Sequence, residues 1–180
     1  MNVPTLDLSK FISGIDEERK AFSDDLGHSF NQTGFAIIKN HVLKKELTDE
    51  LYKVIKAFFD LEDEKKIKYY FPDLYGQRGY VVKGQEHAKG SKKGDLKEFF
   101  HIGNPSISNP QNIWPHEVES FNEIGSEVFI TLENIGLTLL RAISMYLNLD
   151  INYFEDKVKG GESILRSIHY FPLNPSDISD

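Results

Sequence analysis

Apolar positions along the chain follow two periods. The opening Val3-Pro4-Thr5-Leu6-Asp7-Leu8 alternates apolar and polar residues after a proline, the pattern of a short edge strand. Residues 17–32 then place Phe22, Leu26 and Phe30 four apart, one apolar stripe of a helix, which Gly34 ends. Phe35-Ala36-Ile37-Ile38 is a compact apolar run between turn signals and is read as a buried strand. A second helix is expected over residues 43–61, with Leu47, Leu51, Ile55 and Phe58 or Phe59 on one face.

The charged stretch that follows, residues 60–68, is expected to be exposed. From residue 71 to residue 112 the pattern changes: Gly76, Gly79, Gly84, Gly90, Gly94 and Gly103 punctuate short apolar pairs such as Val81-Val82 and Phe99-Phe100. Loops and short strands are predicted there. Pro115 suits the first turn of a long helix whose stripe is Val118, Phe121, Ile124, Val128, Leu132, Ile135, Leu139, Ile143 and Tyr146. A turn and short helix over residues 149–154 and a strand over residues 163–171 complete the pattern, with no internal repeat. Strands and helices are thus mixed along the chain, which makes it α+β.

Composition narrows the partners. With 180 residues, 39% of them apolar, the chain can bury roughly 70% of the surface its unfolded form exposes. A net charge of -7, from 28 acidic and 21 basic side chains, argues against a nucleic-acid partner, because phosphate binding needs clustered Lys and Arg. The run Lys65-Lys66-Ile67-Lys68 and the lysines between Lys89 and Lys97 are short, and each is read as a solvated face or loop. Cysteine is absent, so disulfides, thiolate metal sites and Cys nucleophiles are excluded. No basic and apolar leader opens the chain, and no continuous run approaches the roughly 18 apolar residues of a membrane span. A cytoplasmic protein that acts on a small molecule, with no nucleic acid and no membrane, is expected.

Familiar catalytic constellations are missing. A two-histidine, one-carboxylate metal triad usually places His and an acid two residues apart on a strand. Of the six histidines, His28, His41, His87, His101, His116 and His169, none has Asp or Glu two positions on. HExxH, GxSxG and GxxxxGK are absent too. His28 falls on the polar side of its helix and His41 follows a strand, while His101 and His169 sit in apolar strand contexts that suit hydrogen-bonded core histidines. Arg78, Arg166 and Tyr170 remain as polar candidates. An arginine fork matches a carboxylate in two parallel hydrogen bonds, and a tyrosine hydroxyl is a neutral donor. For Arg166 the competing role is a structural ion pair.

Taken in order, several stretches resemble the N-terminal region of the isopenicillin N synthase-like Fe(II)/2-oxoglutarate-dependent oxygenases: VPTLDLSKF; TGFAIIKNHVL from Thr33; FFDLEDEKK from Phe58; YGQRGYV from Tyr75; DLKEFFHIG from Asp95; Trp114-Pro115; the long helix ending in YLNLDINYF; and ILRSIHYFP from Ile164. The resemblance implies helices and strands packed against a double-stranded β-helix (jelly-roll, cupin-like) whose core is truncated here. Residues 1–115 would form the N-terminal region, and residues 116–180 the long helix and first core strands.

It further implies that Tyr170 donates to the carboxylate of the co-substrate or substrate, and that Arg78 meets a substrate carboxylate. Plant members commonly read Asn-Tyr-Tyr-Pro-Pro where this chain has Ile168-His169-Tyr170-Phe171-Pro172. The iron ligands and the 2-oxoglutarate-holding Arg-x-Ser of the family would lie past Asp180. Fe(II) and 2-oxoglutarate are therefore expected in a complete enzyme, and neither is expected on this chain alone. The expected activity is hydroxylation, desaturation or cyclisation of a small carboxylate-bearing metabolite. The alternative is a non-catalytic binding module that keeps the N-terminal fold without the iron site.

Overall fold

The computed structural model describes residues 2–85, 94–107 and 109–172. Spatial contacts divide the chain into one unit of residues 1–45 and 130–161 and another of residues 46–129 and 162–180. This division is interleaved, and cuts the chain differently from the boundary at residues 115 and 116.

In the first unit, strand β1 (Thr5–Asp7) lies parallel to β2 (Ile37–Lys39), with helices α1 (Ser9–Ile12) and α2 (Asp16–Thr33) between them in sequence. Gly34 ends α2 in the left-handed conformation at φ 77°, and its N–H bonds back to the Phe30 carbonyl. That conformation favours glycine. Leu6, Leu8, Phe11, Phe22 and Leu26 form the core with Ala142. Two expectations change. Phe30, the third residue of the α2 stripe, is exposed. The run at residues 35–38 is buried on one side only: Ala36 and Ile38 pack on the core, while Phe35 and Ile37 are 66% and 53% exposed. Strand residues alternate between faces, and this two-strand sheet covers one of them.

In the second unit, helix α3 (Lys45–Phe59) turns Leu51, Val54, Ile55, Phe58 and Phe59 inward. Helix α4 (Asp63–Lys66) and two single turns, Ile67–Tyr69 and Pro72–Leu74, lead to strands β3 (Gly79–Val81) and β4 (Lys97–Gly103). Strand β5 (Ile164–Tyr170) completes an antiparallel sheet ordered β3-β4-β5. Phe58 is the hub of the core, its ring edge-on to Phe100 at 4.7 Å and also meeting Tyr69, Tyr80 and Phe121. Such edge-to-face pairs add to the gain from burial alone.

Helix α5 (Phe121–Tyr146) starts later than Pro115 predicts. Residues 116–120 form turns, and Ser120 sits at φ 59°, outside the helical region. Val118 nevertheless packs on the core as its stripe position requires. Further along the same helix, Leu132 is exposed. By length and by a window of mean hydropathy 1.4, α5 meets the bulk requirement of a membrane span, although Glu127 and Glu133 interrupt its apolar residues. It also supplies Phe121 and Phe129 to the second unit's core and Ala142 to the first's. Helix α6 (Glu155–Val158) follows, slightly beyond the predicted residues 149–154.

Candidate functional site

The β3-β4-β5 sheet has two chemically distinct faces, fixed by the period of two. Glu98, Phe100 and Ile102 of β4 alternate with Lys97, Phe99, His101 and Gly103. Register places His169 opposite Glu98, Ser167 opposite Phe100 and Leu165 opposite Ile102. Tyr80 lies opposite Phe100 on the other side. These residues form the core face. The outer face carries Tyr170 opposite Lys97, Ile168 opposite Phe99, Arg166 opposite His101 and Ile164 opposite Gly103.

Glu98 dominates the core face. Its carboxylate is 0% exposed and accepts from three elements at once. Lys66 Nζ donates at 2.9 Å to Oε2 and 3.3 Å to Oε1, Tyr80 Oη at 2.5 Å to Oε2, and His169 Nδ1 at 2.8 Å to Oε1. Lys66 is 3% exposed, contrary to the solvated role its lysine-rich run predicts; its aliphatic stem is buried because its ammonium is matched by Glu98 and, at 3.0 Å, by Asp63. Burial works against the Lys66 charge, but the hydrogen bonds to Glu98 and Asp63 outweigh it and hold its pKa above the ordinary lysine value. Burial, aided by the Glu98 carboxylate, pushes the Tyr80 hydroxyl far above the usual tyrosine range.

The outer face is built differently. Over β5 it is open: Ile164, Arg166, Ile168 and Tyr170 are all exposed, and Tyr170 is 66% exposed. The Arg166 guanidinium lies over the Phe99 ring at 4.7 Å, a cation–π contact. Arg78 covers the Gly103 end. A Cβ at Gly103 would fall inside its guanidinium, so glycine is what lets the arginine lie flat on the strand. Asn112 braces the same point, accepting from Gly103 N at 2.7 Å and donating to its carbonyl at 2.9 Å.

Arg78 is 1% exposed, and only one of its nitrogens is matched: Nη1 donates to the Gln77 carbonyl at 2.8 Å. Nε and Nη2 have no acceptor among the described residues. Burial pushes the guanidinium below the ordinary arginine range, with the Glu162 carboxylate pulling the other way.

Arg166 and Tyr170 therefore stand on one face of one strand, as their even spacing dictates. Arg78 shares that face at the opposite end. From the Gly103–Ile164 pair to the Lys97–Tyr170 pair the strand runs about 20 Å, too far for Arg78 and Tyr170 to meet one carboxylate. Of the histidines, His28 is exposed as expected, His41 is exposed too, and His101 is buried and paired through Nδ1 with the Gly76 carbonyl. His169 binds Glu98 and stacks on Phe59 at 5.2 Å. His87 lies outside the described residues. Glu98 and Lys66 were not among the sequence candidates. The signal for Glu98 is its period-two alignment with Phe100 and Ile102, which places an acid on a core face.

Among the described residues no group of three His, Asp or Glu side chains could hold a metal ion. The outer face is instead a row of donors, Arg78, Arg166 and Tyr170, suited to carboxylates. The described residues thus fit a carboxylate ligand and do not fit the iron of the resembled family.

Known proteins with the same pattern are oxygenases. Residues 3–117 match the family described as non-haem dioxygenase in morphine synthesis N-terminal. A 2-oxoglutarate-dependent dioxygenase, ecdK of Aspergillus rugulosus, is 32% identical over 94% of this chain and 56% of its own length. The leucoanthocyanidin dioxygenase of Malus domestica is 31% identical over 96% of this chain and 49% of its own. A full-length Neurospora crassa protein, crystallised in complex with alpha-KG, superposes with a TM-score of 0.83 at 27% identity, over 93% of this chain and 54% of its own. A putative 2OG-Fe(II) oxygenase family protein from Caulobacter crescentus gives 0.81 at 34%, over 94% of this chain and 56% of its own. The chain spans about half the length of the curated relatives it matches.

Proposed function

This chain belongs to the non-haem Fe(II)- and 2-oxoglutarate-dependent dioxygenases, and on that premise we propose that it forms the N-terminal helices and first core strands of a jelly-roll enzyme oxidising a small carboxylate-bearing metabolite. In such an enzyme the iron and 2-oxoglutarate supply the oxidising chemistry, coupled to hydroxylation, desaturation or ring closure of the substrate. The residues here contribute the anion-binding wall.

Tyr170 donates its hydroxyl to a carboxylate of 2-oxoglutarate or substrate. It is a neutral donor on an exposed strand end, so it orients an anion without demanding a counter-charge when the site is empty. Arg78 takes a substrate carboxylate. Its unmatched Nε and Nη2 offer the side-on pair of N–H groups that a carboxylate accepts in parallel. These two unmatched donors are the observation that carries the assignment of an acidic substrate. A buried guanidinium with open valences is costly unless an anion completes it.

The test is turnover by the full-length enzyme with Fe(II) supplied. Succinate formation from 2-oxoglutarate is expected, with carboxylate-bearing substrates stimulating it and their amides failing to. Arg78→Met should raise the KM of the acidic substrate and leave that of 2-oxoglutarate unchanged. No 2-oxoglutarate consumption by the iron-loaded enzyme would leave the non-catalytic binding module in its place.

A further inference from the structure

The core face of the sheet carries a buried polar network that no part of the proposed chemistry uses, and its position points to a role. Among the described residues strand β5 pairs with β4, in the order β3-β4-β5. The ends of a strand open more readily than its middle. Tyr170 is the last residue of β5, and the Phe171 N–H, bonded to the Leu96 carbonyl at 3.3 Å, continues the ladder beyond it. An exposed hydroxyl there would swing with the strand end unless something fixed the backbone.

His169 is the fixing point. It is the last core-facing residue of β5, directly opposite Glu98, and its Nδ1 lies 2.8 Å from Glu98 Oε1. A carboxylate only accepts, so Nδ1 carries the proton and the ring orientation is set. Phe59 stacks on one side of the imidazole and Phe171 meets it at 4.8 Å. Glu98 cannot follow His169 outward, because Lys66 from α4 and Tyr80 from β3 hold the carboxylate from two further directions. A side chain bound to three separate elements at 0% exposure has no alternative position.

We propose that Glu98, acting through His169, is a positioning residue that locks the end of β5 and so aims the Tyr170 hydroxyl at its carboxylate ligand. The proposal rests on the assignment of Tyr170 to the co-substrate, and its test separates the two.

His169→Phe keeps the aromatic stack and removes the donor, whereas His169→Asn restores an N–H near the same place. In the full-length, iron-loaded enzyme, His169→Phe should raise the KM for 2-oxoglutarate about tenfold, the scale of one lost hydrogen bond to a charged group, with kcat changing far less. His169→Asn should recover most of that loss. In a Tyr170→Phe background, His169→Phe should add nothing, because the group being aimed is gone.

Hydrogen exchange on the chain is the independent readout. The Phe171 amide should exchange about tenfold faster in His169→Phe, while amides at Leu165 and Ser167 stay protected. An unchanged Phe171 amide, or KM effects of the two substitutions that simply add, would overturn the anchor. Faster Phe171 exchange with a KM indifferent to Tyr170→Phe would support the anchor and overturn the assignment of Tyr170 to the co-substrate.

Discussion

Glu98 and Arg78 are both buried charges of the same three-strand sheet, on opposite faces of it. Glu98 is met by Lys66, Tyr80 and His169, so its lone pairs are occupied and its charge is balanced. Arg78 has a single bond to the Gln77 carbonyl and two nitrogens without an acceptor among the described residues. A buried polar group that is fully matched holds a structure together; one left partly unmatched is either a defect or a receptor. That contrast is what supports our proposal of an architectural Glu98 face and a ligand-binding Arg78 face.

Substitutions should separate the two faces. Glu98→Ala strands the Lys66 ammonium in the core and should destabilise the chain by about 3–5 kcal/mol in denaturant unfolding, since it breaks one side of a buried ion pair. Adding Lys66→Met should restore much of that loss, because the stranded charge goes with it. Gly103→Ala comes next. Its Cβ needs the space of the Arg78 guanidinium, an overpacking cost of about 1–3 kcal/mol, and Arg78→Ala in the same chain should relieve most of it.

Alkaline pH probes the Glu98 face again. Tyr80 is held far above its ordinary pKa, so its stabilisation is fully present below about pH 10, the unfolded tyrosine value, and declines above it as the unfolded state releases a proton that the folded state keeps. Thermal midpoints measured from pH 8 to pH 11 should fall through the upper part of that range, and Tyr80→Phe should flatten the fall.

Arg78→Met is the counterpart on the other face. It removes the unmatched donors and should change stability by less than about 1 kcal/mol, read by the same unfolding curve. A loss as large as that of Glu98→Ala would mean that Arg78 is a structural pillar and that the contrast is false. Tyr170→Phe should be smallest for stability, within about 0.5 kcal/mol, because the residue is exposed.

Much of this was legible in the sequence, because periodicity records which side of an element is buried. The Phe22 and Leu26 stripe, the Gly34 stop and the extent of β5 all follow from it. Period two alone is enough to set Arg166 and Tyr170 on one face. What the pattern did not carry was pairing over long separations. Lys66 lies 32 residues from Glu98 and His169 lies 71. A lysine in a charged run looks solvated until its acid is brought to it. The late start of α5 was hidden for a local reason, since the left-handed Ser120 interrupts a stretch whose apolar spacing still reads as helix. Phe35 and Ile37 misled because an apolar run shows that a strand exists but not how many of its faces are covered.

The central claim is that the outer face of β5 receives the carboxylate of a dioxygenase ligand. Calorimetric titration of 2-oxoglutarate into the anaerobic, Fe(II)-loaded full-length enzyme tests it most directly, comparing the wild type with Tyr170→Phe. The expected result is saturable binding weakened about tenfold by loss of the hydroxyl, with the unfolding midpoint unchanged. Equal affinity in the two proteins would contradict the claim.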